Sequence, residues 1–170
     1  TRNANIEGEN EITMQDLIKA CLRMRPDRII VGEVRGVEAM SMLQALSTGH
    51  SGSFSSIHAN SCRDALRRLE TMVLMGMDMP LGAIQGLIAS SVEILIHLGR
   101  LTTGERRILE ICEVKDYSRT EYIIQTLFRY DGESSELRMT GELFHTEKMK
   151  SYGQYEAYCE AVKTFCEGEE

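Results

Sequence analysis

The stretch that most constrains the fold is Arg28-Ile29-Ile30-Val31-Gly32-Glu33-Val34. A short apolar run rich in β-branched residues reads as a buried parallel strand. The sequence around it reads as helix. Before it, Thr13 precedes Met14, Leu17, Ile18, Cys21 and Leu22 at helical spacing, and Asp16 completes a near capping box. Pro26 predicts that this helix stops by Arg25. After it, Glu38 to Ser47 carries Met40, Leu43 and Leu46 on one expected inner face. Gly49 and Gly52 break that pattern, and Ser53 to Ala59 reads as a second strand. Ser61, with Asp64 three places on, predicts an N-cap for a helix that turns Leu66, Leu69 and Val73 inward. A further helix is expected to start after Pro80 and run to about Ser90, with Gly82 and Gly86 allowing close packing. The order helix–strand–helix–strand–helix argues for an α/β layered core.

The texture changes after residue 92. Val92 to Leu98, Arg107 to Val114 and Glu121 to Tyr130 alternate apolar and polar residues, as antiparallel strands do. Turns are expected at Thr103-Gly104 and near Asp116, and a last short strand over Glu136 to Leu143. Lys148 to Cys166 reads as one C-terminal helix, spaced by Tyr155, Tyr158, Val162 and Phe165.

Length and composition bound the function classes. At 170 residues the chain is one domain or a large piece of one. Hydrophobic residues make 42% and charged residues 26%, which excludes a disordered or collagen-like chain. No 18-residue apolar run is present. The net charge of −7 argues against a domain built to grip nucleic acid. That charge is uneven: residues 1–110 carry −1 and residues 111–170 carry −6. The first part is rich in arginine, which suits bidentate recognition of phosphate or carboxylate. Cys21, Cys62, Cys112, Cys159 and Cys166 form no C-x-x-C pair and read as free thiols of a reducing compartment. The N-terminus has no initiator Met and no apolar leader, so the chain is expected to be a piece of something longer.

Glu33 is the first candidate for chemistry. It ends the most buried-looking strand, where open α/β sheets build their sites. A carboxylate there can hold a metal-bound water or polarise an attacking one. The plainer alternative is an ion pair with Arg35 in solvent. The second candidate is Thr48-Gly49-His50-Ser51-Gly52-Ser53 with Ile57-His58-Ala59-Asn60. His50 and His58 lie at the two ends of one predicted strand, and the glycines would let backbone approach a ligand. A zinc site on His58 and Cys62 lacks a correctly spaced third ligand. Ser51 misses the nucleophile-elbow pattern, which needs glycine where Ser53 stands. None of the five lysines follows a glycine, so the chain holds no G-x-x-x-x-G-K-[ST] loop. Met72, Met75, Met77 and Met79 are expected as core filler rather than as a contact surface.

These residues carry a resemblance. Leu22 through Gly36 with Glu38-Ala39 resembles the Walker B region of the type II/type IV secretion traffic ATPases, and Thr48 through Asn60 resembles their His box. The pair of motifs looks most like the CpaF-type ATPases of tight-adherence (Flp) pili. Arg63 to Leu69, Arg100-Leu101, Gly104, Arg106-Arg107 and Glu113-Val114 also fit, and the match covers roughly residues 1–115. Gly32 stands where Walker B strands usually carry Asp, as is this family's habit. The resemblance implies a hexameric cytoplasmic ring motor, peripheral at the inner face of the cell membrane, on a partial RecA-like P-loop NTPase core. It implies ATP and Mg as cofactors of the full-length protein, none held tightly by this chain, and an inner-membrane secretion or pilus platform as partner. Glu33 matches the glutamate that acts on magnesium and its waters. His50 and His58, with Thr48 and Gly49, match the His box. Arg2 and Arg23 match arginines expected near the phosphates, and Arg35 is a further candidate for cofactor binding.

On this resemblance, residues 1–115 are the C-terminal part of the ATPase domain, without Walker A. Residues 116–170 add strands and a helix, in the same domain or as an appendage. Walker A and the acidic box lie upstream in the family, so the chain alone is expected not to hydrolyse ATP. The alternative is a non-enzymatic assembly or partner-binding module on a degenerate motor fold. Loss of the P-loop strand is further expected to bare a sheet edge or apolar face and to promote self-association.

Overall fold

A computed structural model describes residues 1–3, 9–50, 52–118 and 121–167, without the side chains of 166 and 167. Ser51 therefore lies outside the described residues, as do the side chain of Cys166 and the turn at 119–120. The fold is α/β: helices around a parallel strand pair, then an antiparallel sheet and C-terminal helices. The chain divides into two compact units, Thr1–Val92 with Tyr117–Glu121, and Glu93–Asp116 with Tyr122–Glu170.

The first unit begins with an isolated antiparallel bridge between Arg2 and Ile12, which the sequence did not announce. Helix α1 is Met14–Arg23. Its cap is reciprocal: Thr13 Oγ1 accepts the Asp16 N–H at 3.1 Å, and Asp16 Oδ2 accepts the Thr13 N–H at 3.0 Å. Strand β1 covers only Ile30–Val31, and β2 only Phe54–Ser55. They pair in parallel, Ile30 with Phe54 and Val31 with Ser55. Helices α2 (Glu38–Ser47), α3 (Cys62–Gly76) and α4 (Leu81–Ser91) complete this unit.

Helix α2 is central, packed against α1, α3 and α4. This changes its expected face. Ala39, Met42, Leu43 and Ala45 are buried, whereas Met40 and Leu46 are only half-buried, because neighbours approach from three sides. Leu66, Leu69 and Val73 turn inward as expected, under Ser61 as N-cap. Gly86 lets Tyr117 close on α4: a Cβ there would stand 3.3 Å from the tyrosine ring. The parallel strand is not buried on both faces, however. Ile29, Val31 and Val34 are buried, but the cross-strand partners Ile30 and Phe54 are exposed. The helices cover one face of the pair, and nothing among the described residues covers the other.

The second unit is built on a sheet of order β3-β4-β5-β6, with β3 Ile94–Arg100, β4 Arg106–Ser118, β5 Glu121–Asp131 and β6 Glu136–Met139. Strand β4 runs through Asp116, where a turn was expected. A continuous apolar–polar alternation outweighs one aspartate. Glu113 is 2% exposed and binds the segment after β6: its carboxylate accepts the N–H groups of Phe144 at 2.7 Å and His145 at 2.8 Å. The C-terminal helix is two helices, α5 Glu147–Ser151 and α6 Tyr155–Glu167. Gly153 adopts φ 66°, a left-handed conformation that ends α5.

Cys21, Cys62, Cys112 and Cys159 form no disulfide. Among the described residues, no helix is long and apolar enough to cross a membrane.

Candidate functional site

Three of the sequence candidates meet where β1 and β2 end. Glu33 Oε2 accepts the Arg35 Nε–H at 2.7 Å and lies 3.5 Å from His58 Nε2. The backbone builds this meeting. The Val34 N–H bonds the Ser56 carbonyl at 3.0 Å, and Ser56 Oγ donates to the Gly32 carbonyl at 2.6 Å. These two bonds continue the strand pairing past its last ladder residue. They hold the loop of Glu33 beside the loop of His58. Ser56 falls inside the His-box match, but its bond to Gly32 was not expected, because a serine in a predicted strand carries no signal of its partner.

The loop after Glu33 is closed by Glu38. Its Oε1 accepts the N–H of Arg35 at 2.7 Å and of Gly36 at 3.1 Å. Burial opposes ionisation of Glu38, but the backbone N–H groups of Arg35, Glu38 and Gly36 outweigh it. Its pKa therefore falls below the ordinary 4.5. At Glu33 the hydrogen bond from Arg35 is the main cause of a lowered pKa, with partial burial opposing it and the Arg35 and His58 charges assisting. Glu33 is thus held ionised, with a side chain 37% exposed. Among the described residues its Oε1 accepts no bond. The plain alternative, an ion pair with Arg35, is present. The third member, His58, is what the fold adds.

The rest of the candidates are placed separately. Thr48 Oγ1 donates to the Ala45 carbonyl at 3.1 Å and lies 3.5 Å from His50 Nδ1. Gly49 has φ 88° and Gly52 φ 79°, so both need glycine's conformational freedom. A Cβ on Gly52 would also meet Arg28 Nε at 3.0 Å. Ser53 Oγ accepts the Ile29 N–H at 2.8 Å and ties this loop to the start of β1. Arg2 Nε donates to the Asn10 carbonyl at 2.9 Å. Arg23 is exposed in the last turn of α1. Neither arginine contacts Glu33 or His58 among the described residues. The donor set suits a water-mediated magnesium contact at one carboxylate, and among the described residues it contains no phosphate cradle.

The methionine cluster departs from expectation. Met72 is buried, but Met75 is 64% and Met77 43% exposed, because α3 turns them away from the core as it ends.

The profile of the Type II/IV secretion system protein family matches residues 1–151. A Mycobacterium tuberculosis relative named for conjugal transfer is 43% identical over 115 residues, covering 67% of this chain and 32% of its own length. The type IV secretion system protein VirB11 of Brucella suis is 38% identical over 96 residues, covering 54% of this chain and 26% of its own length. The crystal structure of the Brucella suis VirB11 ATPase in complex with sulphate superposes with a TM-score of 0.56. It is 36% identical and covers 59% of this chain and 31% of that one. The chain thus spans about a third of the length of these relatives. With the profile matched over most of its residues and the α/β core shared with the VirB11 ATPase, the chain belongs to the Type II/IV secretion system protein family.

Proposed function

We propose that this chain is the C-terminal part of a secretion motor ATPase, of the kind that drives pilus assembly or protein export. The observation that carries the reading is Glu33, held ionised at the carboxyl end of β1 with His58 beside it. In the whole protein, bound ATP and Mg would supply the scissile phosphoanhydride and the charge that stabilises the departing phosphate. Glu33, as the Walker B glutamate, would be the residue that holds the magnesium through water, on its unengaged oxygen. Arg35 keeps that carboxylate ionised and oriented. His58 and His50 monitor the phosphate end of the site, with Thr48 and Gly49 shaping the His50 loop. Arg2 and Arg23 act as phosphate sensors rather than as partners of Glu33.

The motor part is residues 1–115, and 116–170 complete or append to it. The whole protein works as a homo-oligomeric, hexameric ring of the CpaF type. It is cytoplasmic and peripheral to the membrane, and it acts on an inner-membrane platform rather than on nucleic acid. The chain alone neither holds ATP tightly nor turns it over, since no lysine in it follows a glycine. A steady-state phosphate-release assay tests this. The whole protein is expected to turn over ATP, and the isolated chain is not. Turnover by the isolated chain that disappears with Glu33→Gln would overturn the reading.

A further inference from the structure

A second feature of the first unit shares Arg35 with that chemistry and extends away from it. Beside Arg35 lies an open cleft of about 390 Å³, walled by Asn60, Arg67, Arg68, Thr71 and Met75. Arg67 and Arg68 stand on the exposed side of α3, and neither makes an ion pair among the described residues. One acid, Asp64, shares the lining. Buried Met72 forms part of the wall, and exposed Met75 extends it. Arginine and methionine are enriched at protein interfaces, and guanidinium groups match carboxylates bidentately. The cleft therefore suits a carboxylate-bearing peptide turn.

This chain carries such a turn. The β5–β6 hairpin tip, residues 132–136, presents Glu133 and Glu136, both exposed and without an ion pair among the described residues. The tip is pre-formed. Asp131 accepts the Glu133 N–H at 3.0 Å and the Ser134 hydroxyl at 2.9 Å, and pairs with Arg138 at 3.2 Å. A turn already ordered loses little entropy on docking. The charge asymmetry points the same way, because residues 111–170 carry −6 of the total −7. We infer that the Arg67–Arg68 cleft receives the Glu133–Glu136 hairpin tip of a second copy of this chain. The two surfaces differ, so the contact is head-to-tail and can propagate or close a ring. The inference rests on the homo-oligomeric part of the function proposed above and names its contact.

Sedimentation velocity of the isolated chain at low and high salt tests it, with folding checked by far-UV circular dichroism. Association at low salt is expected to weaken at high salt. Arg67→Glu with Arg68→Glu, and separately Glu133→Arg with Glu136→Arg, should each weaken it at least about tenfold, the scale of one lost charge pair. An equimolar mixture of the two reversed variants should associate again, because each cleft then meets an oppositely charged tip. If a reversed variant fails to fold, the neutral pairs Arg67→Gln with Arg68→Gln and Glu133→Gln with Glu136→Gln test the same weakening. Association that neither pair alters would overturn this contact alone, placing self-association on the exposed apolar faces. Loss in both variants without recovery on mixing would also overturn it. A chain that stays monomeric throughout would overturn this contact, and sedimentation of the whole protein then tests the homo-oligomeric reading by itself.

Discussion

At the scale of residues, the decisive geometry is a carboxylate with two partners. Arg35 bonds Glu33 and lowers its pKa, so Glu33 titrates below the ordinary 4.5. Arg35→Ala should move that pKa back up towards 4.5, as read by carboxyl-carbon NMR; an unchanged pKa would remove Arg35 from the role. The sign follows from the depressed value. The Glu33–Arg35 pair is present above the ordinary glutamate range and is lost as pH falls through the lowered pKa. Arg35 is largely exposed and Glu33 partly so, and solvent screening confines the effect to the site rather than to global stability. A second residue-scale prediction concerns Glu113. Removing its carboxylate loses two charge-assisted bonds, from the N–H groups of Phe144 and His145, and a hydrogen bond to a charged group is worth about 1.5–3 kcal/mol. Glu113→Ala should therefore lower the denaturant midpoint clearly, whereas Glu133→Ala on the exposed tip should not.

At the scale of elements, helix starts were legible and strand lengths were not. Thr13 and Ser61 cap the helices they were expected to cap, since a side-chain oxygen one residue before an apolar period is a local signal. Thr13→Ala should cost about 1 kcal/mol through loss of that cap, measurable as a lower melting temperature. Asp16 has its pKa lowered, first by the Thr13 hydroxyl. The capping box is thus intact above the ordinary aspartate value of 3.8 and dissolves as pH falls through the lowered one. The strands depend on partners, which no local pattern specifies. Seven residues from Arg28 to Val34 suit a strand, but only Ile30–Val31 find ladder partners among the described residues. The break between α5 and α6 turns on one glycine. Gly153→Ala should disfavour the φ 66° conformation and destabilise the helix junction by about 1 kcal/mol, visible as faster amide exchange there.

At the scale of the molecule, the unpartnered surfaces follow a pattern. Ile30 and Phe54 on the parallel pair, and Ile94, Ile96 and Leu98 on edge strand β3, are all exposed. Alternate residues of an edge strand facing solvent invite pairing with another chain. Ile96→Lys should raise the solubility of the isolated chain without changing its circular dichroism; no gain in solubility would show that this strand is not a contact. The site divides in the same way. Glu33 and the two histidines could be singled out as candidates because strand ends and glycine-rich loops mark such places. The pairing of Glu33 with His58 was not, because it depends on Ser56 bridging two loops that are distant in sequence. The most direct test is ATP turnover by the whole protein with and without Glu33→Gln. The account predicts a loss of at least about 100-fold, the scale of a displaced catalytic group, with protein folding and oligomeric state unchanged. Turnover that survives the substitution would contradict it.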